Sequence, residues 1–401
     1  MKIAIFTPSF LPKCSGAEIF HHNLATQLVA RGHEVVLIIP RKNVAALTSS
    51  EWDLPYALEP FHGNLWSLYK RVRWAGQIAV NQLLNRLQRK HRFDLWHVVM
   101  TWPTGVTALH WSGGRGKIPV LLRCAGDDLL VDAKHGIGLR LDPEKDRLIR
   151  EEIPKASAVV SLSESITDEY LGLGVKRDRI EWIPNAVDLP AFQVSINRND
   201  VRKSLGIPAA AFVFLSVGRN HPQKDYPTLF RAAGRLLREG GKFHLLVVGR
   251  ESPKLRKLAA ENGLGDCVTL LEMSSAPGQV DFPPALLRDT YLAADAFVMP
   301  SRIEGFSTAL LEAMAAGLPV LTTDAPGCRE FIREGADGLM VARGDDENMA
   351  KQMGRLLVDQ DLRNKLAEKS RARAVEFGWP QIVSRYEALY AKLIREHQPA
   401  R

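Results

Sequence analysis

Residues 296–323 read AFVMPSRIEGFSTALLEAMAAGLPVLTT, and the changes of texture along that stretch set the architecture. Ala296-Phe297-Val298-Met299 is apolar at every position, as a strand buried on both faces must be. From Ser307 to Ala316 strong helix formers dominate and predict a helix. Residues 319–323 then predict a second strand. A strand, a crossover helix and a strand in so short a span make a parallel βαβ unit.

The same alternation recurs on either side. Residues 212–217, 243–248 and 268–271 predict strands ahead of this unit, with a helix over 226–237. In the first half the strand candidates are 2–7, 34–40, 95–99, 119–124, 158–162 and 180–183. Residues 17–30 carry Phe20, Leu24 and Leu28 at helical spacing, and Gly32 ends that helix. After Asn185-Ala186-Val187-Asp188 the pattern restarts.

The chain's 401 residues exceed what one hydrophobic core usually supports. The sequence therefore predicts an α/β protein of two Rossmann-like, doubly wound parallel-sheet domains. The first covers 1–190 and the second 191–376, while 377–401 forms a C-terminal helix packing back on the first. Such sheets bind ligands at the carboxyl ends of their strands, so the two domains are expected to face each other across a cleft.

Lysine and arginine number 53 against 45 aspartate and glutamate, a net charge of +8 that favours anionic partners: phosphates, nucleic acid or acidic membrane. The start runs straight into Ile3-Ala4-Ile5-Phe6 and Pro8, unlike a secretory leader, and no apolar run reaches the roughly 18 residues of a membrane span. Cys14, Cys124, Cys267 and Cys328 lack the paired spacing of zinc or redox sites. The expected location is the cytoplasm, or the inner face of the cytoplasmic membrane. No Gly-x-Gly-x-x-Gly follows any strand, which argues against a dinucleotide oxidoreductase.

The chemistry is expected in the strand-to-helix loops. In Pro300 to Glu312, Gly305 lets backbone approach a ligand, and the amides near Ser307 and Thr308 form an anion site suited to a diphosphate. Thr308 and Glu312 share a helix face about 6 Å apart along the axis. A carboxylate there suits ribose hydroxyls, while Glu304 precedes the helix and points towards the reacting sugar. Ser301-x-x-Glu304 also fits a helix capping box. After residue 217, Gly218-Arg219-Asn220-His221-Pro222-Gln223-Lys224 places two cations on one loop, as a pair of phosphates would need or as a solvated basic loop would show. Pro12 to Glu18, with Gly16, is a third loop whose backbone can approach sugar or phosphate.

These loops, with Ile183-Pro184-Asn185, the run Ala313-Met314-Ala315-Ala316-Gly317-Leu318-Pro319-Val320, and Trp379-Pro380 with Arg385-Tyr386, carry a family likeness over most of the chain. The chain resembles the retaining glycosyltransferases of family 4, whose architecture is called GT-B. The resemblance implies transfer of a hexose-type sugar from a UDP-, GDP- or ADP-sugar to an acceptor hydroxyl. It assigns catalysis to Glu304, Lys224 and Arg219. Donor binding falls to Gly16, Arg219, Lys224, Gly305, Phe306, Ser307, Thr308 and Glu312. No cofactor is implied and, with no Asp-x-Asp site in the sequence, no metal. The acceptor implied is a glycan or glycolipid, in surface polysaccharide or lipopolysaccharide assembly.

The chain departs from the family pattern in places. Ser15-Gly16 stands for two glycines, Gly249-Arg250 for a Gly-x-Gly, and Ala186 for a glycine. Where the family often has a histidine near the sugar, Ala125-Gly126-Asp127-Asp128 occurs, which makes Asp127 and Asp128 candidates for sugar or acceptor contacts or for helix caps. His97 matches one histidine of a two-histidine pattern and is either a third such candidate or a structural histidine.

Between Gly63 and Arg92 there are seven cations and no acid, interleaved with Trp66, Leu68, Tyr69, Trp74 and Ile78. This stretch is either a peripheral contact with anionic membrane or a solvated basic helix pair. Two rival functions remain open: a sugar-nucleotide epimerase or hydrolase of the same architecture, and a non-enzymatic binder of membrane or nucleic acid. The sequence shows no reading helix or aromatic platform for nucleic acid. Residues 274–284 form a variable loop to which the sequence assigns no role.

Overall fold

The computed structural model describes residues 1–13, 15–48, 52–113, 118–273 and 281–397. Cys14 and most of the 274–284 loop lie outside them. Within the described residues the chain divides into two compact units: 1–184 with 380–397, and 185–273 with 281–379.

Unit 1 holds a seven-stranded sheet of β1 (Lys2–Phe6), β2 (Glu34–Pro40), β3 (Ala57–Phe61), β4 (Leu95–Val99), β5 (Val120–Arg123), β6 (Ala158–Ser161) and β7 (Ile180–Trp182), in the order β3-β2-β1-β4-β5-β6-β7 and parallel throughout. The central strands are buried at nearly every position because helices cover both faces. Strand order reverses between β1 and β4, the switch point where loops splay apart and leave room for a ligand.

Helix Trp379–His397 ends the described chain in unit 1. Its Ile382, Val383, Tyr386, Tyr390 and Leu393 are all buried, each such large side chain contributing about 1.5 to 3 kcal/mol. Arg31 and His33 both reach its Glu387, at 2.6 and 2.8 Å.

Unit 2 holds a six-stranded parallel sheet of β8 (Val213–Val217), β9 (His244–Val248), β10 (Val268–Leu271), β11 (Ala296–Met299), β12 (Val320–Thr323) and β13 (Leu339–Val341), in the order β10-β9-β8-β11-β12-β13. Here the order reverses between β8 and β11. Helix Tyr226–Arg238 follows β8 and helix Thr308–Ala315 follows β11, so the two motif-bearing loops flank one switch point. Both units are thus Rossmann-like, and the fold is of the GT-B type. No described helix is long and apolar enough to cross a membrane.

Candidate active site

The loop after β8 and the loop after β11 are laced together. The Arg302 amide donates to the Gln223 carbonyl at 2.9 Å, Gln223 Nε2 donates to the Ile303 carbonyl at 2.8 Å, and the Arg302 guanidinium pairs with Asp225 at 2.8 Å. This lacing fixes Lys224, whose Nζ donates to Glu304 Oε1 at 2.6 Å. The same oxygen accepts from Ser301 Oγ at 2.7 Å. Ser301 and Glu304 therefore bond side chain to side chain instead of capping a helix, which begins only at Thr308.

Close backbone approach explains three glycines around this pair. A β-carbon on Gly327, at φ +76°, would lie 2.1 Å from the Glu304 carbonyl oxygen. One on Gly249 would lie 2.1 Å from the Gly218 carbonyl oxygen, and one on Gly218 would press on the Lys224 side chain at 3.0 Å. Glu304 is only 7% exposed. Removing one member of so buried an ion pair strands the other, at a cost of about 3 to 5 kcal/mol.

Ser307 is the N-cap of helix Thr308–Ala315 and accepts from the Leu310 amide at 3.3 Å. The amides of Thr308 and Ala309 make no bond within the helix, which leaves two donors and the positive end of the helix dipole for an anion. Asn185 Nδ2 ties this turn down, donating to the Phe306 carbonyl at 2.9 Å and to Thr308 Oγ1 at 3.3 Å. One turn further along, half-buried Glu312 accepts from the Tyr291 hydroxyl at 2.9 Å. Burial pushes the Glu312 carboxyl up to about 7, and the Tyr291 hydrogen bond opposes that rise. Arg219 stands half-buried on the loop after β8, five residues before Lys224.

Unit 1 treats its candidates differently. Gly16 opens helix Gly16–Ala30, and the preceding loop is organised by buried Glu18, which accepts from Ser9 Oγ at 2.5 Å and from Ser15 Oγ. Asp128 is fully buried and accepts from the amides of Thr101, Ala125 and Gly126 at 2.6 to 2.9 Å, so it joins the loops after β4 and β5. Of the pair expected to meet sugar or acceptor, only Asp127 keeps partial exposure. His97 likewise departs from a ligand-contact reading. It is wholly buried in β4, bonded through Nδ1 to the Tyr390 hydroxyl at 2.7 Å and stacked on Tyr386. Burial first, then the Arg123 charge, depress its pKa to about 3.

A model of group 1 glycosyl transferases matches residues 197–373, and one of glycosyltransferase family 4 matches residues 14–190, so nearly the whole chain is accounted for. The chain belongs to the group 1 glycosyltransferases. A D-inositol 3-phosphate glycosyltransferase of Nocardia farcinica is 32% identical over 267 residues, 64% of this chain and 55% of its own length. The N-acetyl-alpha-D-glucosaminyl L-malate synthase of Bacillus anthracis is 25% identical over 397 residues, 96% of both chains. The crystal structure of Anabaena HepE in complex with UDP has the same fold, with a TM-score of 0.77, 19% identity, and coverage of 98% of this chain and 100% of that one. The chain spans 55% to 61% of the length of the inositol phosphate glycosyltransferases of Nocardia and two Corynebacterium species.

In this group 1 glycosyltransferase, three contributors to the site had no role assigned to them from the sequence. Asn185 and Tyr291 come from segments 121 and 21 residues away from the groups they hold, and Gly327 from the loop after β12. Asn185 follows Ile183-Pro184 and was visible as part of the likeness, but nothing local gave its target. Among the described residues no group of three or more histidine, cysteine, aspartate or glutamate side chains is placed to hold a metal ion.

Proposed function

We propose that this protein transfers a hexose-type sugar from a UDP-, GDP- or ADP-sugar to an acceptor hydroxyl, with retention at the anomeric carbon. The observation that carries the reading is the Lys224–Glu304 pair at the switch point of unit 2, where the loop leading to helix Tyr226–Arg238 meets the loop leading to the helix that bears Glu312. An ammonium has three donors, and Lys224 spends one on Glu304, which leaves two for a diphosphate.

In this reading the free amides of Thr308 and Ala309 and the Arg219 guanidinium meet the same diphosphate, and Glu312 accepts from the ribose hydroxyls. Glu304, held by Lys224 and Ser301 through one oxygen, offers the other to a donor sugar hydroxyl. As the glycosidic bond to phosphate breaks, negative charge gathers on the leaving diphosphate. Cations and amides fixed beforehand stabilise that charge without reorganising. The acceptor oxygen arrives on the face the diphosphate leaves, and its proton passes to the departing phosphate oxygen. No step requires a metal, so activity should survive chelation by EDTA. We favour a glycan or glycolipid acceptor, in surface polysaccharide or lipopolysaccharide assembly.

The test is thermal stabilisation by UDP, GDP and ADP, followed by product analysis with the matching sugar donors and NMR of the new anomeric centre. Stabilisation by one diphosphate and an acceptor-dependent product with retained configuration are expected. Donor consumption without any acceptor would point instead to an epimerase or hydrolase. An inverted product would defeat retention.

A further inference from the structure

Unit 1 carries a surface that the transfer reaction does not use. Helices Leu65–Arg71 and Arg73–His91 form a tight hairpin, so close that a β-carbon on Gly76 would fall 2.3 Å from the Tyr69 α-carbon. The second helix buries Gly76, Val80, Leu84 and Leu87 and turns its opposite face outward.

That outward face is not an ordinary solvated one. At the hairpin's turn Leu68, Val72, Trp74 and Ile78 are 39%, 39%, 71% and 48% exposed, four of the eleven large hydrophobics so exposed among the described residues, within eleven positions. Beside them Lys70 and Arg71, and further along the same helix Arg86 and Arg89, are exposed and make no ion pair among the described residues. No acid occurs between Gly63 and Arg92. Trp74, Ile78, Gln82 and Arg86 follow at four-residue steps, so the stripe grades from apolar to cationic along one helix face. Exposed indole and aliphatic groups rimmed by unpaired cations match the boundary of an anionic bilayer, where apolar groups enter the acyl region and cations meet headgroup phosphates.

The hairpin is also fastened to the ligand edge of its sheet. The Tyr69 ring packs on Trp102 at 5.4 Å, and Trp102 lies in the loop directly after β4, at the switch point of unit 1. Gln77 Nε2 donates to the Thr107 carbonyl at 3.0 Å just beyond that loop.

We propose that this hairpin docks the protein on an anionic lipid bilayer through Leu68, Val72, Trp74 and Ile78 with Lys70, Arg71, Arg86 and Arg89, and so brings the sheet edge of unit 1 to an acceptor carried on that membrane. The second clause rests on the transferase reading above; the docking itself does not.

Co-sedimentation with vesicles of phosphatidylglycerol and phosphatidylcholine, against phosphatidylcholine alone, tests it. The wild-type chain sediments with the anionic vesicles only, and less at high salt. Trp74→Ser with Ile78→Ser, and separately Arg86→Ser with Arg89→Ser, each lower the membrane partition constant, the second by roughly 25-fold at about fivefold per cation. These side chains face outward, so both variants keep the wild-type melting temperature and the same stabilisation by UDP, GDP or ADP. Absence of wild-type binding, or binding unchanged in both variants, overturns the proposal. So does sedimentation velocity showing a dimer that the Trp74 variant abolishes, since the face would then be covered by a second copy. Loss of nucleotide stabilisation in the wild type would sink the donor reading alone.

Discussion

Burial lifts the Glu312 carboxyl to about 7, although Tyr291 donates to it. A carboxyl whose folded pKa lies above its unfolded value of about 4.3 stabilises the fold fully below that value, and the benefit is lost as pH rises through 7. Glu312→Gln removes the titration. From pH 5 to 8 the wild type should therefore lose stability relative to this variant in thermal melts, and parallel curves would show that the carboxyl is not raised. Ribose hydroxyls need the ionised form as acceptor, so donor affinity should improve as pH climbs through 7, and Glu312→Gln should chiefly raise the donor KM, by about tenfold. Lys224→Ala should instead lower kcat/KM by about 2 to 4 kcal/mol, because its contact strengthens as charge develops. Wild-type kinetics in both variants would defeat the assignments. The positions of Glu304 and Lys224 were legible in the sequence because each lies on a loop directly after a predicted strand, and that of Glu312 because it falls on the helix that follows; their roles came from the family likeness. The role of His97 was not legible, because a lone histidine in an apolar strand reads alike whether it meets a sugar or, as here, a tyrosine 293 positions away.

Strands and helices followed the sequence closely where they are central and faded where they lie at the edge. β1, β2, β4 and β11 are apolar runs because both faces are covered. β3 was missed: its Ala57-Leu58-Glu59-Pro60-Phe61 is mostly unburied, and a proline sits comfortably only on an edge. β13 is a three-residue edge strand and gave too little pattern to read. Asn185 was read only as part of the family likeness, and its role was not legible because its partners lie 121 and 123 positions along the chain. Its amide joins the turn at Phe306 and Thr308, so the start of helix Thr308–Ala315 depends on a residue outside it. Asn185→Ala should loosen that turn and raise the donor KM several-fold. Asn185→Asp should do worse, since it sets an oxygen against the Phe306 carbonyl and a negative charge beside the proposed diphosphate site. Titration with the nucleoside diphosphate, alongside melting curves, checks the order. Equal affinity in all three proteins would mean that the tie is ornamental.

For the molecule as a whole, acid should act first through unit 1. His97 is wholly buried with a pKa near 3, and burial together with the neighbouring Arg123 and His97 holds His21 well below the ordinary histidine value. A base whose folded pKa lies below its unfolded value contributes stability that is complete above about 6.5 and is lost as pH falls towards 3. Between pH 6.5 and 5 one such histidine costs about 2 kcal/mol. Glu312 works in the opposite sense over part of that range, so the wild-type curve mixes the two. An acid titration of stability in the Glu312→Gln background isolates the histidines: a steep loss below 6.5 is expected, made shallower by His97→Asn. Because His97 is tied to Tyr390, the first signal lost should be that of helix Trp379–His397 leaving its sheet, seen as early proteolysis near residue 380. Tyr390→Phe, which leaves His97 Nδ1 without its hydroxyl, should move that cleavage to higher pH. If neither substitution shifts the acid limb, the buried histidines do not control it, and the C-terminal helix is held by its apolar face alone.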